Sequence, residues 1–428
     1  MSDRRQPTRE PALADACPGV LRLHDAADGH LARVRLPGGR LDAPALEALA
    51  DAASLGSDIV ELTSRAGVQL RGLPADGEDA LARVLRRGGL LPSIAHDRVR
   101  NILAAPLAGR APAAVAQVDG IVTELDRALC EDASLADLPG RFLFAVDDGT
   151  RALDPLRADV ELTAERDGLR LCVDGLATSL LVTAARAPDA ALRAARAFVE
   201  LREEDGDGAW RVRELEDGAG RVARRLGLSL LDRPRVQAAD RDRDRNRGRG
   251  LGLHLQRNGL LAVAVLPPLA RLGRAQLLGL ASLARALDAD VRVSPWRTLT
   301  FLDVPASAAV GLLGDLQRMG MIASEASGWA GLSACAGLGA CARALTDVRA
   351  AAARRAVVRG KDSPTEHWSG CERRCGEAPD VGVSVVAHEH ALLVSRGRGD
   401  GAGGEHEEHT VATTAAALEL LEHAGAPA

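Results

Sequence analysis

Four cysteines carry the clearest chemistry in this 428-residue chain. Cys335, Cys341, Cys371 and Cys375 crowd into 41 residues, whereas Cys17, Cys130 and Cys172 stand alone. The spacing is Cys-x5-Cys followed by Cys-x3-Cys. Paired zinc cysteines usually enclose two to four residues, so the second pair suits zinc and the first does not. The residues between Cys335 and Cys341 are Ala-Gly-Leu-Gly-Ala. Small residues let backbone amides approach bound sulfide, which favours a [4Fe–4S] cluster and leaves structural zinc as the alternative.

A second group of residues offers cations for an anionic ligand. Read as one strand, Glu61–Arg71 places Thr63, Arg65, Gly67, Gln69 and Arg71 on one face, opposite Leu62, Val68 and Leu70. Such a face can grip carboxylates bidentately, or it is a solvated edge. Arg33 and Arg35 alternate in the same way. In a related stretch, Pro295 interrupts the alternation of Val291, Val293, Leu299 and Phe301, which predicts a bulge that re-aims Trp296 or Arg297. Asp147-Asp148-Gly149 reads as a turn, with Asp148 kept as an acid or ligand candidate. His388-Glu389-His390 has metal-like spacing but lies between apolar runs, as a hairpin tip does. His406-x2-His409 sits in low-complexity sequence.

These groups are positioned by an internal repeat. Residues 30–74 superpose on 260–305 at a constant offset of 231, pairing Thr63 with Ser294 and Pro74 with Pro305. Each copy reads strand, loop, amphipathic helix, strand, with helices over Pro44–Ala53 and Ala275–Leu287. One short copy cannot bury both sheet faces, so the copies are expected to pair about a pseudo-twofold axis. The boundaries are 19–80 and 251–308 for the half-domains and 81–232 and 309–428 for two α+β domains. Between them, 233–250 is a charged, core-free linker. Arg396–His409 reads as a solvated loop before a helix near Val411–His423.

Composition excludes several functions. Lys+Arg 54 against Asp+Glu 59 gives net charge −5, and with Tyr absent and Phe and Trp four each, nucleic-acid binding is not expected. The sole lysine, Lys361, is followed by Asp362, so there is no phosphate-binding P-loop. Gly248-Arg249-Gly250-Leu251-Gly252 follows a linker rather than a strand, so nicotinamide binding is not expected and electrons must come from a separate donor. No run of 18 apolar residues occurs and the N-terminus lacks an apolar signal core, so membrane association is not expected and the cytoplasm is the default compartment.

The cysteine spacing, the repeated copies, "LTSRAGVQLRG" and Arg98-Val99-Arg100-Asn101-Ile102 resemble the sulfite and nitrite reductase superfamily. Within it, "RVRLPGGRL", "SPWRTL", "RFLFAVDDG" and "HWSGCERRCG" are similar to the precorrin-3B synthase family of aerobic cobalamin biosynthesis. The resemblance implies a duplicated α+β fold with two ferredoxin-like half-domains. It implies a cluster on the four cysteines, a mononuclear non-haem iron, and O2-dependent hydroxylation of the tetrapyrrole precorrin-3A at C20 with γ-lactone closure. Thr63, Arg65, Gln69, Arg71, Arg100, Asn101, Trp296 and Arg297 would orient the macrocycle, with Arg141, Asp148 and His367 as catalytic candidates. An external ferredoxin or NAD(P)H-dependent reductase would supply electrons. Reductases of the superfamily place two lysines after a Leu-Pro pair; here Leu138-Pro139-Gly140-Arg141-Phe142-Leu143 keeps at most Arg141. The alternatives are a sirohaem-dependent sulfite or nitrite reductase, in which sirohaem is the cofactor, and a non-enzymatic tetrapyrrole-binding scaffold.

Overall fold

The computed structural model describes residues 17–206, 208–232, 250–360, 362–378, 381–397 and 407–423. All of the expected linker except Gly250 lies outside these residues, as do Lys361 and His406.

The first copy runs β1 (His24–Ala26), β2 (Gly29–Val34), β3 (Arg40–Leu41), α1 (Ala43–Ala53), β4 (Ile59–Leu62), β5 (Val68–Leu73) and α2 (Glu78–Arg87). Helix α1 starts because Asp42 accepts the Ala45 amide at 2.8 Å and Pro44 occupies its first turn. The α+β domain that follows holds β6 (Ile102–Ala104), α3 (Asp119–Glu131), β7 (Phe144–Asp147), β8 (Val160–Glu165), β9 (Gly168–Val173), β10 (Leu176–Val182), α4 (Ala187–Glu204) and α5 (Gly218–Arg225). Both units then recur. The second copy runs β11 (Gly252–Leu255), β12 (Leu261–Val265), β13 (Arg271–Gly273), α6 (Arg274–Leu287), β14 (Val291–Val293), β15 (Leu299–Val304) and α7 (Ala306–Arg318). The last domain holds β16 (Leu332–Ala334), α8 (Val348–Val358), β17 (Glu366–Ser369), β18 (Val383–Ala387), β19 (Leu392–Arg396), β20 (Glu407–Val411) and α9 (Thr414–His423).

The two copies complete each other's sheets. Their orders are β1-β2-β5-β4-β13 and β11-β12-β15-β14-β3, so each copy lends one short strand to its counterpart. Arg271 opposes Glu61 in the first exchange, and Arg40 opposes Arg292 in the second. Helices α1 and α6 pack together, and one apolar core runs through both copies. The flanking sheets share one topology as well. The strands β6-β7-β8 and β16-β17-β18 are parallel, and both sheets continue antiparallel to their ends. The duplicated α+β architecture expected from the sequence is therefore the one observed. No helix among the described residues is long and apolar enough to cross a membrane.

Three local expectations need correction. Glu61–Arg71 is not one strand: β4 and β5 are an antiparallel pair joined by a turn over 63–67. Period two cannot persist through a turn, so the residues assigned to one face separate. Val291–Phe301 likewise forms a hairpin without a bulge in the β14–β15 register, with Pro295 in its 294–298 turn. The stretch expected as a C-terminal loop contributes strand at both ends, since Arg396 pairs with Glu407. The turn between β18 and β19 does hold His388, whose amide donates to Ala391.

The first α+β sheet buries carboxylates at its centre. Glu161 on β8 accepts only a Thr163 hydroxyl, at 3.1 Å; burial, then Asp147 and Asp154, push its pKa up to about 8. Burial and Asp148 push Asp147 up to about 6. The folded chain thus holds a proton that the unfolded chain has released, and stability falls as pH rises from the ordinary 4.5 through about 8. Glu161→Gln should match the parent protein's melting temperature near pH 5 and exceed it by roughly 4 °C or more at pH 8.5. Calorimetric profiles that decline in parallel would contradict this assignment.

Candidate functional site

The cysteine quartet is carried by the loops that follow β16 and β17. Cys335 donates its amide to Trp368, and the Gly370 amide points at the Cys335 sulfur from 3.2 Å. Gly337 and Gly339 take φ of 75° and 89°, which explains the glycines between the first two cysteines. The Cys375 thiol is pushed up by burial and then by Cys335, Cys371 and Cys341, so the four sulfurs lie within electrostatic reach of one another. All four are free thiols, and Cys375 is exposed. Among the described residues, no group of three or more His, Cys, Asp or Glu forms a metal-binding set. Four thiols around glycine-rich backbone suit a larger sulfide-bridged cluster, whose ligands stand farther apart. The mononuclear iron expected from the resemblance finds no ligand set among these residues.

Arg33, Arg35 and Arg65 form a buried basic group on which the carboxylates act only from a distance, Asp97 on Arg35 and Asp159 on Arg65. Arg65 sits at the 63–67 turn and donates to the Gly140 carbonyl at 3.2 Å. Burial and then Arg211 bring its pKa down to about 10; burial, Arg33 and Arg65 bring Arg35 down to about 9. Arg33 is lowered by burial and has a buried, unpartnered Nε. Cys17 and then Cys375 partly oppose that lowering, so Arg33 lies within electrostatic reach of one cysteine of the quartet. Cys17 is within reach of Arg33, Arg35 and Arg65. At the rim, exposed Arg141 lies over the Trp210 ring at 4.2 Å. Arg211, ion-paired to Asp159, had no motif to announce it.

Other candidates have structural work of their own. Thr63 closes its turn, accepting the Gly67 amide and donating to the Gly67 carbonyl, both at 3.2 Å. Gln69 donates to Glu61. Arg71 is bidentate on Asp28 at 2.9 Å and reaches the Ala340 carbonyl, so it holds the cysteine loop instead of presenting an open fork. Arg100 is locked on Asp126 by two 2.7 Å bonds. Asn101 donates to the carbonyls of Arg98 and Gly140, leaving its buried Oδ1 unpartnered. Asp148 accepts the Gly109 amide at 2.8 Å and the Thr150 hydroxyl at 2.6 Å, which makes it a loop fastener.

The second hairpin reaches the cysteines directly. Arg297, at φ 65°, donates to the Gly376 carbonyl at 2.8 Å, and its pKa is lowered by burial with no acid opposing. Trp296 packs half-buried against the shared core. His367 receives or gives a 2.8 Å bond at Nδ1 with Ser333, while its buried Nε2 has no hydrogen-bond partner. Burial and then Arg297 push it down to about 3, opposed weakly by the nearby Cys375 backbone. Neutral His367 is thus placed to hold a hydrogen bond, and a proton-carrying imidazolium is disfavoured there. His388 pairs with Glu372 at 2.9 Å and His409 with Glu407 at 2.7 Å, and neither belongs to a metal-binding set. A cavity of about 530 Å3 between α3 and α4, lined by Asp132 and Arg196 among others, is remote in sequence and fold from the cysteine loops.

Residues 24–87 and 254–319 both match the nitrite/sulfite reductase ferredoxin-like half domain. Those two segments are nitrite/sulfite reductase ferredoxin-like half domains. The chain is 25% identical to sulfite reductase [ferredoxin] 2 of Mycolicibacterium paratuberculosis over 421 residues, covering 89% of this chain and 76% of that protein. It is 35% identical to precorrin-3B synthase of Sinorhizobium sp over 151 residues, which is 35% of this chain and 32% of that protein. The match therefore spans about a third of the Sinorhizobium protein. The structure of Mycobacterium tuberculosis NirA shares the reductase-like fold, with TM-score 0.73 and 21% identity across 92% of this chain and 79% of that one.

The two classes of arginine separate in a stability measurement. Arg100→Ala strands Asp126 and should cost about 3 kcal/mol in urea unfolding. Arg65→Ala relieves like-charge repulsion and should change stability by less than about 1 kcal/mol. Equal losses would mean that Arg65 is also a structural bridge.

Proposed function

We propose that the protein is a precorrin-3B synthase-like monooxygenase that hydroxylates precorrin-3A at C20 with γ-lactone formation. The observation that carries this reading is the buried group of Arg33, Arg35 and Arg65, with Cys375 of the quartet in electrostatic reach of Arg33. A flat tetrapyrrole fringed with acetates and propionates supplies carboxylates for guanidinium groups that burial leaves short of charge balance. The match to precorrin-3B synthase supports the assignment, as does the single cation in Leu138–Leu143, where reductases of the superfamily place a pair of lysines.

In this reading Cys335, Cys341, Cys371 and Cys375 would hold a [4Fe–4S] cluster, which when bound supplies single electrons from an external donor such as ferredoxin. The chain's own contribution is recognition and exclusion. Arg33, Arg35 and Arg65 fix the carboxylate edge, and Arg297 holds the Gly376 carbonyl beside the last cysteine. Buried Nε2 of His367 stands ready to hydrogen-bond near Cys375. One oxygen atom of O2 enters the product; the other leaves as water, at the cost of two electrons and two protons. Sirohaem-dependent sulfite or nitrite reduction is the second reading, favoured by the long match to sulfite reductase.

Anaerobically purified protein given precorrin-3A, a reductant and O2 should yield a product heavier by one oxygen atom in mass spectrometry. Absence of that product, together with intense sirohaem bands in the visible spectrum, would establish the reductase reading instead. Cys371→Ser should lose both the brown colour and turnover; full activity in that variant would contradict the cluster assignment.

A further inference from the structure

The cysteine loop is held by charged side chains from distant parts of the chain. Arg349, in the first turn of α8, donates from Nε to the Cys335 carbonyl at 3.2 Å and from Nη2 to Glu61 on β4. Arg71 on β5 donates to the Ala340 carbonyl. Guanidinium groups therefore grip the loop at its first cysteine and just before its second. Glu61 is buried, accepts from Gln69 and lies 3.6 Å from Arg271.

The other half of the duplication builds the same bridge with its charges exchanged. Arg292 stands 231 positions after Glu61, and Asp119, in the first turn of α3, stands 230 before Arg349. Arg292 is ion-paired with Asp119. Either polarity fastens strand to helix equally well, so fastening alone does not choose between them. The choice follows the cysteines. The helix beside the cysteine loop presents a guanidinium, whereas the helix beside the cysteine-free loop over 105–118 presents a carboxylate. A cluster on four thiolates is anionic and becomes more so on reduction, so an adjacent cation favours the reduced form and an adjacent anion opposes it.

We infer that the Glu61–Arg349 pair sets the reduction potential of the group carried by the cysteine loop, Arg349 raising it and Glu61 restraining that rise. The inference rests on the cluster reading above. Both are positioning residues, acting through the Cys335 carbonyl and through charge. The test is an EPR-monitored redox titration of the anaerobically purified full chain, with iron and sulfide measured on the same samples.

Arg349→Gln should lower the ratio of reduced to oxidised cluster about tenfold at fixed potential, a shift of about 59 mV for one electron. Glu61→Gln should shift the midpoint the opposite way, and Arg349→Lys should restore most of the parent value. Asp119→Asn breaks the counterpart bridge and should leave the midpoint unchanged. Shifts in the same direction for Arg349→Gln and Glu61→Gln, no shift in either, or an equal shift in Asp119→Asn would overturn the inference. If Glu61→Gln does not fold, the contrast between Arg349→Gln and Arg349→Lys decides. Parent protein with no iron–sulfur cluster would instead overturn the cluster reading itself.

Discussion

Like charges held together inside a protein repel, and desolvation adds to the cost. Arg33, Arg35 and Arg65 accept both penalties, and all three guanidinium groups are shifted towards the neutral form. Several other buried arginines are ion-paired: Arg100 with Asp126, Arg71 with Asp28, Arg355 with Glu366. Among the described residues, Arg33, Arg35 and Arg65 are lowered mainly by burial, with Asp97 and Asp159 only partly opposing the shift of Arg35 and Arg65. The rest of the architecture can be understood as the framework that keeps these groups from collapsing onto an acid or swinging into solvent.

That framework is a duplication whose halves have diverged in chemistry while keeping their geometry. Ala66 and Arg297 occupy matching places in their turns, with φ of 52° and 65°, and both donate their amides to the residue three back. In one half the left-handed position costs little beyond strain and carries a methyl group. In the other it carries the guanidinium that reaches Gly376. The loops after β6 and β16 show the same divergence: Asp148 fastens the Gly109 amide in the first domain, where cysteines and backbone amides occupy the corresponding loops of the second.

Much of this was legible in the residues. The offset of 231, the helix at Pro44–Ala53 and the cysteine spacing announced the duplication and the quartet, because each rests on short-range rules of periodicity or chelation. What the residues hid was where the chain turns. Thr63-Ser-Arg-Ala-Gly67 has no Pro or Asn-Gly signal and alternates as a strand would, so the turn was absorbed into a false strand. The partners of Arg71 and Arg100 were equally invisible, since Asp28 and Asp126 sit 43 and 26 residues away. Arginine abundance hides purpose: only the placement of acids distinguishes a waiting cation from a spent one.

Strand exchange between the copies has a mechanical corollary. Because β13 is the fifth strand of one sheet and β3 the fifth of the other, the halves are stitched by two backbone ladders across a common apolar core. Separating them would unzip both seams at once. The halves are therefore held in one relative placement by main-chain hydrogen bonds on both sides of the shared core.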